Sequence, residues 1–357
     1  MSKYANAEDI LKQIRELPIQ EQARLKDMLE SENENKKGLE TYLVKHRFAN
    51  GRVCPHCGGN HVRKNGHRKD GSQKYICVSC NKSFMITTHT IYSGTHKDIS
   101  VWQKFLECMA DKKTLDQSAE ICGITHHTAF VWRHKLLDAL SQTADNTVLN
   151  DIVEADETFL PVSYKGNAMH FESLPSEQAR NRGGLHTRGL SDELVCIPCA
   201  VDLKGNSVSR IAKLGKCSKD ALHKVFDGRI ADNTIICSDG DSSYKGFAEN
   251  NNLNLIQVKG GKKSIKNFNI QRINNYHGQL KKFLDIFNGV STKYLNNYLI
   301  WNNVLVYGKV CLKNRISILF DAAALHIFLF VLSTSIRDLL FLYWCKPKSV
   351  VRIFTRL

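Results

Sequence analysis

Residues 151–160, DIVEADETFL, crowd Glu154, Asp156 and Glu157 into four positions just after apolar Ile152 and Val153. Acids are poor strand formers and costly to bury without partners. A second apolar run, NTIICSDGDSSY, also ends in acids, Asp239 and Asp241. Side chains alternate along a strand, so Glu154 and Asp156 share one face while Glu157 points to the other. If the two runs are neighbouring strands, Asp156 and Asp239 meet at one edge of a cleft. Two such carboxylates can hold a pair of divalent cations, which offset their repulsion. Cations roughly 3.5–4 Å apart activate an attacking oxygen and stabilise a leaving oxygen in phosphoryl transfer.

Four cysteines carry a second kind of chemistry. Cys54 and Cys57 are separated from Cys77 and Cys80 by 19 residues, giving C-x2-C-x19-C-x2-C. Paired knuckles at this spacing converge on one tetrahedral zinc, and four thiolates leave no open position for catalysis. The expectation is a structural zinc ribbon. Between its pairs lie basic residues, among them Arg63, Lys64 and Arg68, suited to phosphate contacts.

The chain has 357 residues and a formal net charge of +15, enough for two or three units and suited to a polyanionic partner. The N-terminus lacks the charged-then-apolar order of a signal peptide, and the irregularly spaced cysteines suit reduced thiols or metal ligands. A cytoplasmic protein is expected. Residues 8–31 carry apolar positions at helical spacing interrupted at Pro18, which suggests a small helical hairpin. The polar SENENKK that follows is expected to be a linker.

The stretch TLDQSAEICGITHHTAFVWRHKLLDAL has the grammar of a helix-turn-helix, with Gly123 at the turn. Its second helix, capped by Thr125 and extending to about Leu137, would show Thr125, His126, His127 and Arg133 to a DNA groove. From residue 150 the pattern changes to a three-strand meander, a helix, a strand, a further strand and a late helix, NIQRINNYHGQLKKFLDIF. This order suggests an α/β sheet of the ribonuclease H type.

The order of zinc ribbon, helix-turn-helix, VEADET and CSDG resembles the ISXO-like DDE transposases of bacterial insertion sequences, over about residues 45–305. That resemblance implies a multidomain α+β chain. Its units would be a helical N-terminal segment and linker (1–45), a zinc ribbon (46–95), a helix-turn-helix (96–145) and a ribonuclease H-like catalytic domain (146–305). An apolar tail (306–357) falls outside the resemblance. It further implies binding of terminal inverted repeats in double-stranded DNA, Mg²⁺-dependent strand cleavage and transfer, and assembly as a homodimer or larger on DNA. Two catalytic Mg²⁺ (or Mn²⁺) and one structural Zn²⁺ are the implied metals, in a bacterial, nucleoid-associated protein. The family's two catalytic aspartates fall on Asp156 and Asp239. Its third acid sits seven residues before a basic residue, and here Asn274 and Lys281 take those places.

An asparagine oxygen ligates Mg²⁺ without charge, so the second metal would be held less firmly. His277 lies one turn along the same helical face and could orient a phosphate or leaving group. Glu154 and Asp241 are the alternative third ligands. A transposase remnant acting as a DNA-binding regulator, or a nuclease or resolvase on the same fold, are the alternative functions. Lys262 and Lys263 belong to a glycine-containing basic segment suited to gripping phosphate, and residues 161–193 resemble a basic insertion. Cys196 and Cys199 are expected to be buried thiols, and the uninterrupted apolar parts of the tail are too short to span a bilayer.

Overall fold

The computed structural model describes residues 7–166, 189–258, 268–309 and 312–324. Two helices, α1 (Ala7–Glu16) and α2 (Ile19–Arg47), meet at Pro18, where the expected break occurs. The expected linker is instead the middle of α2, because Glu and Lys are good helix formers and nothing in SENENKK interrupts the backbone ladder. The C-terminal part of α2 buries Leu39 and Leu43.

A three-stranded antiparallel sheet follows, in the order β1 (Val62–His67), β2 (Gln73–Cys77), β3 (Ser83–Phe84). The turn between β1 and β2 is closed by the Asp70 carboxylate, which accepts from the Ser72 N–H at 2.9 Å, and by Gly71 at φ +81°. Only Cys54, Val62, Tyr75, Cys77 and Phe84 form its core, far too little to hold so small a unit unaided.

Helices α3 (Ile99–Ala110), α4 (Leu115–Cys122) and α5 (His126–Asp145) come next. Thr114 and Gln117 make a reciprocal capping box at the start of α4, and Gly123 ends it in the left-handed region at φ +59°. The Thr125 hydroxyl accepts from the Thr128 N–H at 3.1 Å, so Thr125 opens α5 as expected. This helix runs eight residues past the expected Leu137, because its later turns pack on other helices instead of ending in solvent.

The second sheet has the order β6-β5-β4-β8-β9, with β7 (Lys213–Leu214) also pairing β5. Strands β4 (Ile152–Pro161), β5 (Leu194–Asp202) and β6 (Ser207–Ser209) form the antiparallel meander. Strands β8 (Ile235–Ser238) and β9 (Asn254–Gln257) join it in parallel on the other side of β4. This is the neighbour relation the sequence implied. Pro198 lies in buried β5, yet it falls between the stretches bonded to β7 (195–196) and β6 (199–201), so on that edge no ladder bond is lost.

One face of the sheet is covered by α6 (Lys219–Phe226) and α7 (Ser242–Asn250), which close a core around Val153, Ala155, Leu222 and Phe247. The other carries α8 (Gln271–Asp285) and α9 (Leu295–Trp301). There a single apolar cluster runs from Leu39 of α2 through Trp102, Trp132 and Leu136 of the helix-turn-helix. It continues to Tyr276, Leu280 and Trp301, then to Leu319 of α10 (Leu312–Ala324). No helix among the described residues is long and apolar enough to cross a membrane.

Candidate functional site

The parallel register of β4 and β8 brings the acids together. Val153 pairs Ile236 and Glu154 pairs Cys237, so two residues further on Asp156 lies beside Asp239 at the strand ends. Burial first, and then the charge of Asp239, push the Asp156 carboxyl up to about 6. Each aspartate spends one oxygen locally. Asp156 Oδ1 accepts from the Glu157 N–H at 2.9 Å, and Asp239 Oδ1 from the Asp241 N–H at 2.9 Å. A second oxygen on each remains for a ligand, which is the donor set that hard divalent cations take.

Glu154 does not join them. It is 1% exposed, and its Oε2 accepts from the N–H groups of Arg272 (2.6 Å) and Ile273 (3.2 Å), while Oε1 takes a 2.7 Å bond from the Arg272 guanidinium. The carboxylate thus caps the N-terminus of α8, where the helix dipole favours negative charge. Asp241 is likewise occupied: its Oδ1 accepts from the Ser243 N–H at 2.8 Å and caps α7, and that hydrogen bond holds its carboxyl below the usual range. Glu154 therefore has both oxygens committed, while Asp241 commits Oδ1 to the start of α7. Glu157 faces the α6–α7 side, where burial pushes it up to about 7.

Anchoring α8 at Glu154 sets what stands over Asp156. Two strand residues advance about 6.6 Å and four helical residues about 6 Å, so one turn into α8 meets the next same-face acid. His277 occupies that turn, with Nδ1 3.9 Å from Asp156 Oδ2. Its side chain is 12% exposed, and burial followed by the Lys281 charge holds the imidazole down to about 4. Its Nε2 is buried without a hydrogen-bond partner. Asn274 and Lys281, three residues before and four after, lie on the same helical face and are exposed.

In the small sheet, the four cysteines close on one point. Cys54 Sγ is 3.8 Å from Cys80 Sγ, Cys57 Sγ is 3.6 Å from Cys77 Sγ, and all four sulfurs lie within 4.8 Å of one another. A sulfur tetrahedron about 3.8 Å on edge is what a Zn–S bond near 2.3 Å requires. The Cys80 N–H pulls the Cys77 thiol down to about 6, toward the thiolate that zinc binds. Arg63, Lys64 and Arg68 are exposed on and beside β1.

The N-terminal turn of α5 presents Thr125, His126 and His127 to solvent, as the sequence suggested. Arg133 is a correction. It is 1% exposed, and its guanidinium donates to the Lys113 carbonyl at 2.6 Å and lies 5.1 Å from the Trp301 ring and 5.5 Å from the Phe287 ring. Two turns along α5 from His126 it stands on nearly the same face, but there the helix is covered by Phe287 and by Trp301 of α9. Lys262 and Lys263 lie outside the described residues, as does most of the expected basic insertion. Cys196 and Cys199 are fully buried on opposite faces of β5, as expected of inert thiols. Two features escaped the sequence reading: the capping role of Glu154 and its partner Arg272. The only trace was an acid on the same strand face as Asp156, which fits a ligand equally well.

Residues 148–300 match the family model of the ISXO2-like transposase domain, and residues 38–83 that of the transposase zinc-ribbon domain. No curated protein matches the chain. Among solved structures, a chain of the simian T-cell lymphotropic virus intasome in complex with PP2A regulatory subunit B56 gamma aligns at 10% identity and a TM-score of 0.27. That alignment covers 44% of this chain and 49% of that one, so this chain spans about half its length. A pre-cleavage Mos1 transpososome aligns at 13% identity and a TM-score of 0.20, covering 61% and 77%. The Mos1 mariner paired end complex with Mn gives 12% identity and 0.22, covering 62% and 78%.

Proposed function

We propose that the chain, whose residues 148–300 match the ISXO2-like transposase domain, acts as the transposase of an insertion sequence, cutting and joining DNA strands at Asp156 and Asp239. The observation that carries this reading is the β4–β8 pairing, which sets two partly buried carboxylates side by side beneath one face of α8. Burial and mutual repulsion are tolerable there if cations share the site.

Asp156, Asp239 and Asn274 would hold two Mg²⁺, which Mn²⁺ could replace. When bound, these ions supply Lewis acidity at the attacking and leaving oxygens of the phosphodiester. Lys281, two turns beyond Asn274 and exposed, grips a phosphate of the strand in the cleft. Water is the nucleophile for cleavage and the freed 3′-hydroxyl for joining, so no covalent enzyme intermediate is required. The zinc ribbon, through Arg63, Lys64 and Arg68, and the start of α5, through Thr125, His126 and His127, bind the inverted repeats. Pairing two element ends calls for at least a homodimer on DNA.

The test is Asp156→Ala incubated with repeat-end DNA, a target plasmid and Mg²⁺. Strand cleavage should be abolished with end binding intact, and unchanged cleavage overturns the assignment. Cleavage by the wild type without any joined product would reduce the reading to a nuclease on this fold.

A further inference from the structure

We infer that His277 is a nitrogen ligand of the cation held at Asp156, and that this tilts the site from Mg²⁺ toward first-row transition dications. The inference rests on the proposed function, since it concerns the same site, and names a donor that a carboxylate–amide set does not contain. Three observations carry it.

The first is distance. His277 Nδ1 lies 3.9 Å from Asp156 Oδ2. That is too long for a hydrogen bond. Two donors on one octahedral ion with bonds of about 2.1 Å stand about 3 Å apart. A side-chain adjustment of less than about 1 Å closes the difference.

The second is the position of the imidazole: it lines the cleft, 12% exposed, on the same face of α8 as Asn274. The third is its hydrogen bonding. Nε2 is buried and has no partner, and no hydrogen bond to protein is made by Nδ1 either. A buried polar ring left unpaired is costly unless something outside the protein satisfies it. A cation between Asp156 and His277 satisfies the nitrogen turned toward it, which is Nδ1 as the ring stands.

The placement is enforced by the fold. Glu154 pins the first turn of α8 through two backbone N–H groups, so the next turn must stand over Asp156. Asn274, three residues earlier on that face, then contributes an uncharged oxygen to the same side. An imidazole compensates for the missing third carboxylate, because nitrogen donors raise affinity for transition metals much more than for Mg²⁺.

The experiment uses the zinc-loaded full-length protein and Mn²⁺ as probe. Bound Mn²⁺ is paramagnetic, while the ribbon's d¹⁰ zinc is silent. Pulsed electron paramagnetic resonance should show one directly coordinated ¹⁴N in the wild type. His277→Gln, which keeps a polar oxygen of similar reach, should retain folding by circular dichroism and still bind Mn²⁺, but lose the ¹⁴N coupling. By calorimetry its Mn²⁺ affinity should fall about tenfold or more, with a smaller change for Mg²⁺. A ¹⁴N coupling that survives in both His277→Gln and His277→Ala overturns the inference, as does a wild type with no such coupling. Asp156→Ala separates the two levels. If it abolishes Mn²⁺ binding while the His277 variants change nothing, only this inference fails. If Asp156→Ala binds Mn²⁺ as the wild type does, the proposed active site itself fails.

Discussion

Two carboxylates placed side by side in a half-buried cleft cost stability that only a ligand returns. Asp156 is held at about 6 by burial and by Asp239. A carboxyl whose folded value is raised weakens the fold once it ionises. The cost is absent below its ordinary value of 3.8, accrues as pH rises from there to about 6, and is constant above. Without Mg²⁺, and without a chelator that would strip the ribbon's zinc, this term should therefore lower the melting temperature as pH rises to about 6 and leave it level from there to pH 8. Asp239→Asn should flatten that fall and raise the Mg²⁺-free melting temperature at pH 8, while eliminating the upward shift that added Mg²⁺ gives the wild type. Differential scanning calorimetry with and without Mg²⁺ reads both; a variant less stable than wild type at pH 8 without metal contradicts the repulsion. Arg133 makes a separate residue-scale prediction. Its guanidinium is enclosed by α9 and bonded to the Lys113 carbonyl. Arg133→Ala should cost about 3 kcal/mol of stability, as expected when one partner of a buried cation's contacts is removed and a cavity is left. Urea denaturation checks the size, and a loss under 0.5 kcal/mol, within ordinary surface variation, would contradict it.

At the scale of elements, α8 is the device that completes the site, and Glu154 is what aims it. Glu154→Ala removes a charged cap with two backbone bonds and the Arg272 ion pair, at about 2–3 kcal/mol. The expected signature is local: faster amide exchange in the first turn of α8 and weaker Mn²⁺ binding, although Glu154 touches no metal. Glu154→Gln keeps an oxygen acceptor and should recover part of both. The ribbon depends on its metal in a different way. Its apolar core is only five residues, so binding free energy to zinc is folding free energy. Cys77→Ser should lose one bound zinc per chain by elemental analysis and unfold β1–β3, taking specific end binding with it. Zinc retained at full stoichiometry in that variant would exclude the four-cysteine site.

Over the whole molecule, the helix-turn-helix and the catalytic sheet are not beads on a string. They share an apolar cluster in which the Trp102 and Trp132 rings stack at 3.7 Å and Arg133 reaches the α9 rings. Helix α10 packs on the same cluster through fully buried Leu319 and Ala322, and the Tyr42 hydroxyl of α2 bonds Asp321. Shared cores unfold together. Calorimetry should therefore show α3–α5 melting in one transition with the catalytic sheet, and zinc removal melting the ribbon separately. Ending the chain at residue 309 should lower that main transition, since it uncovers the seat of Leu319.

What the sequence determined by itself was whatever is written locally. The cysteine spacing carried the zinc site, because two knuckles need only their own short loops to converge. The Thr125 cap, the turn glycine and the alternation in VEADET carried the helix-turn-helix and the faces of β4, because caps and strand periodicity depend on near neighbours. Pairing of β4 with β8 was legible through strand order, and with it the meeting of Asp156 and Asp239. The rest was decided by packing. Whether Glu154 is a ligand or a cap depends on where the start of α8 lands, 118 residues later in the chain. Arg133 and His127 share a helix, yet only the position of α9 decides that one is buried and the other faces solvent. An unpaired imidazole beside Asp156 cannot be read from NNYHGQLKK alone, since its environment is made by a strand and a helix that meet only in the folded chain.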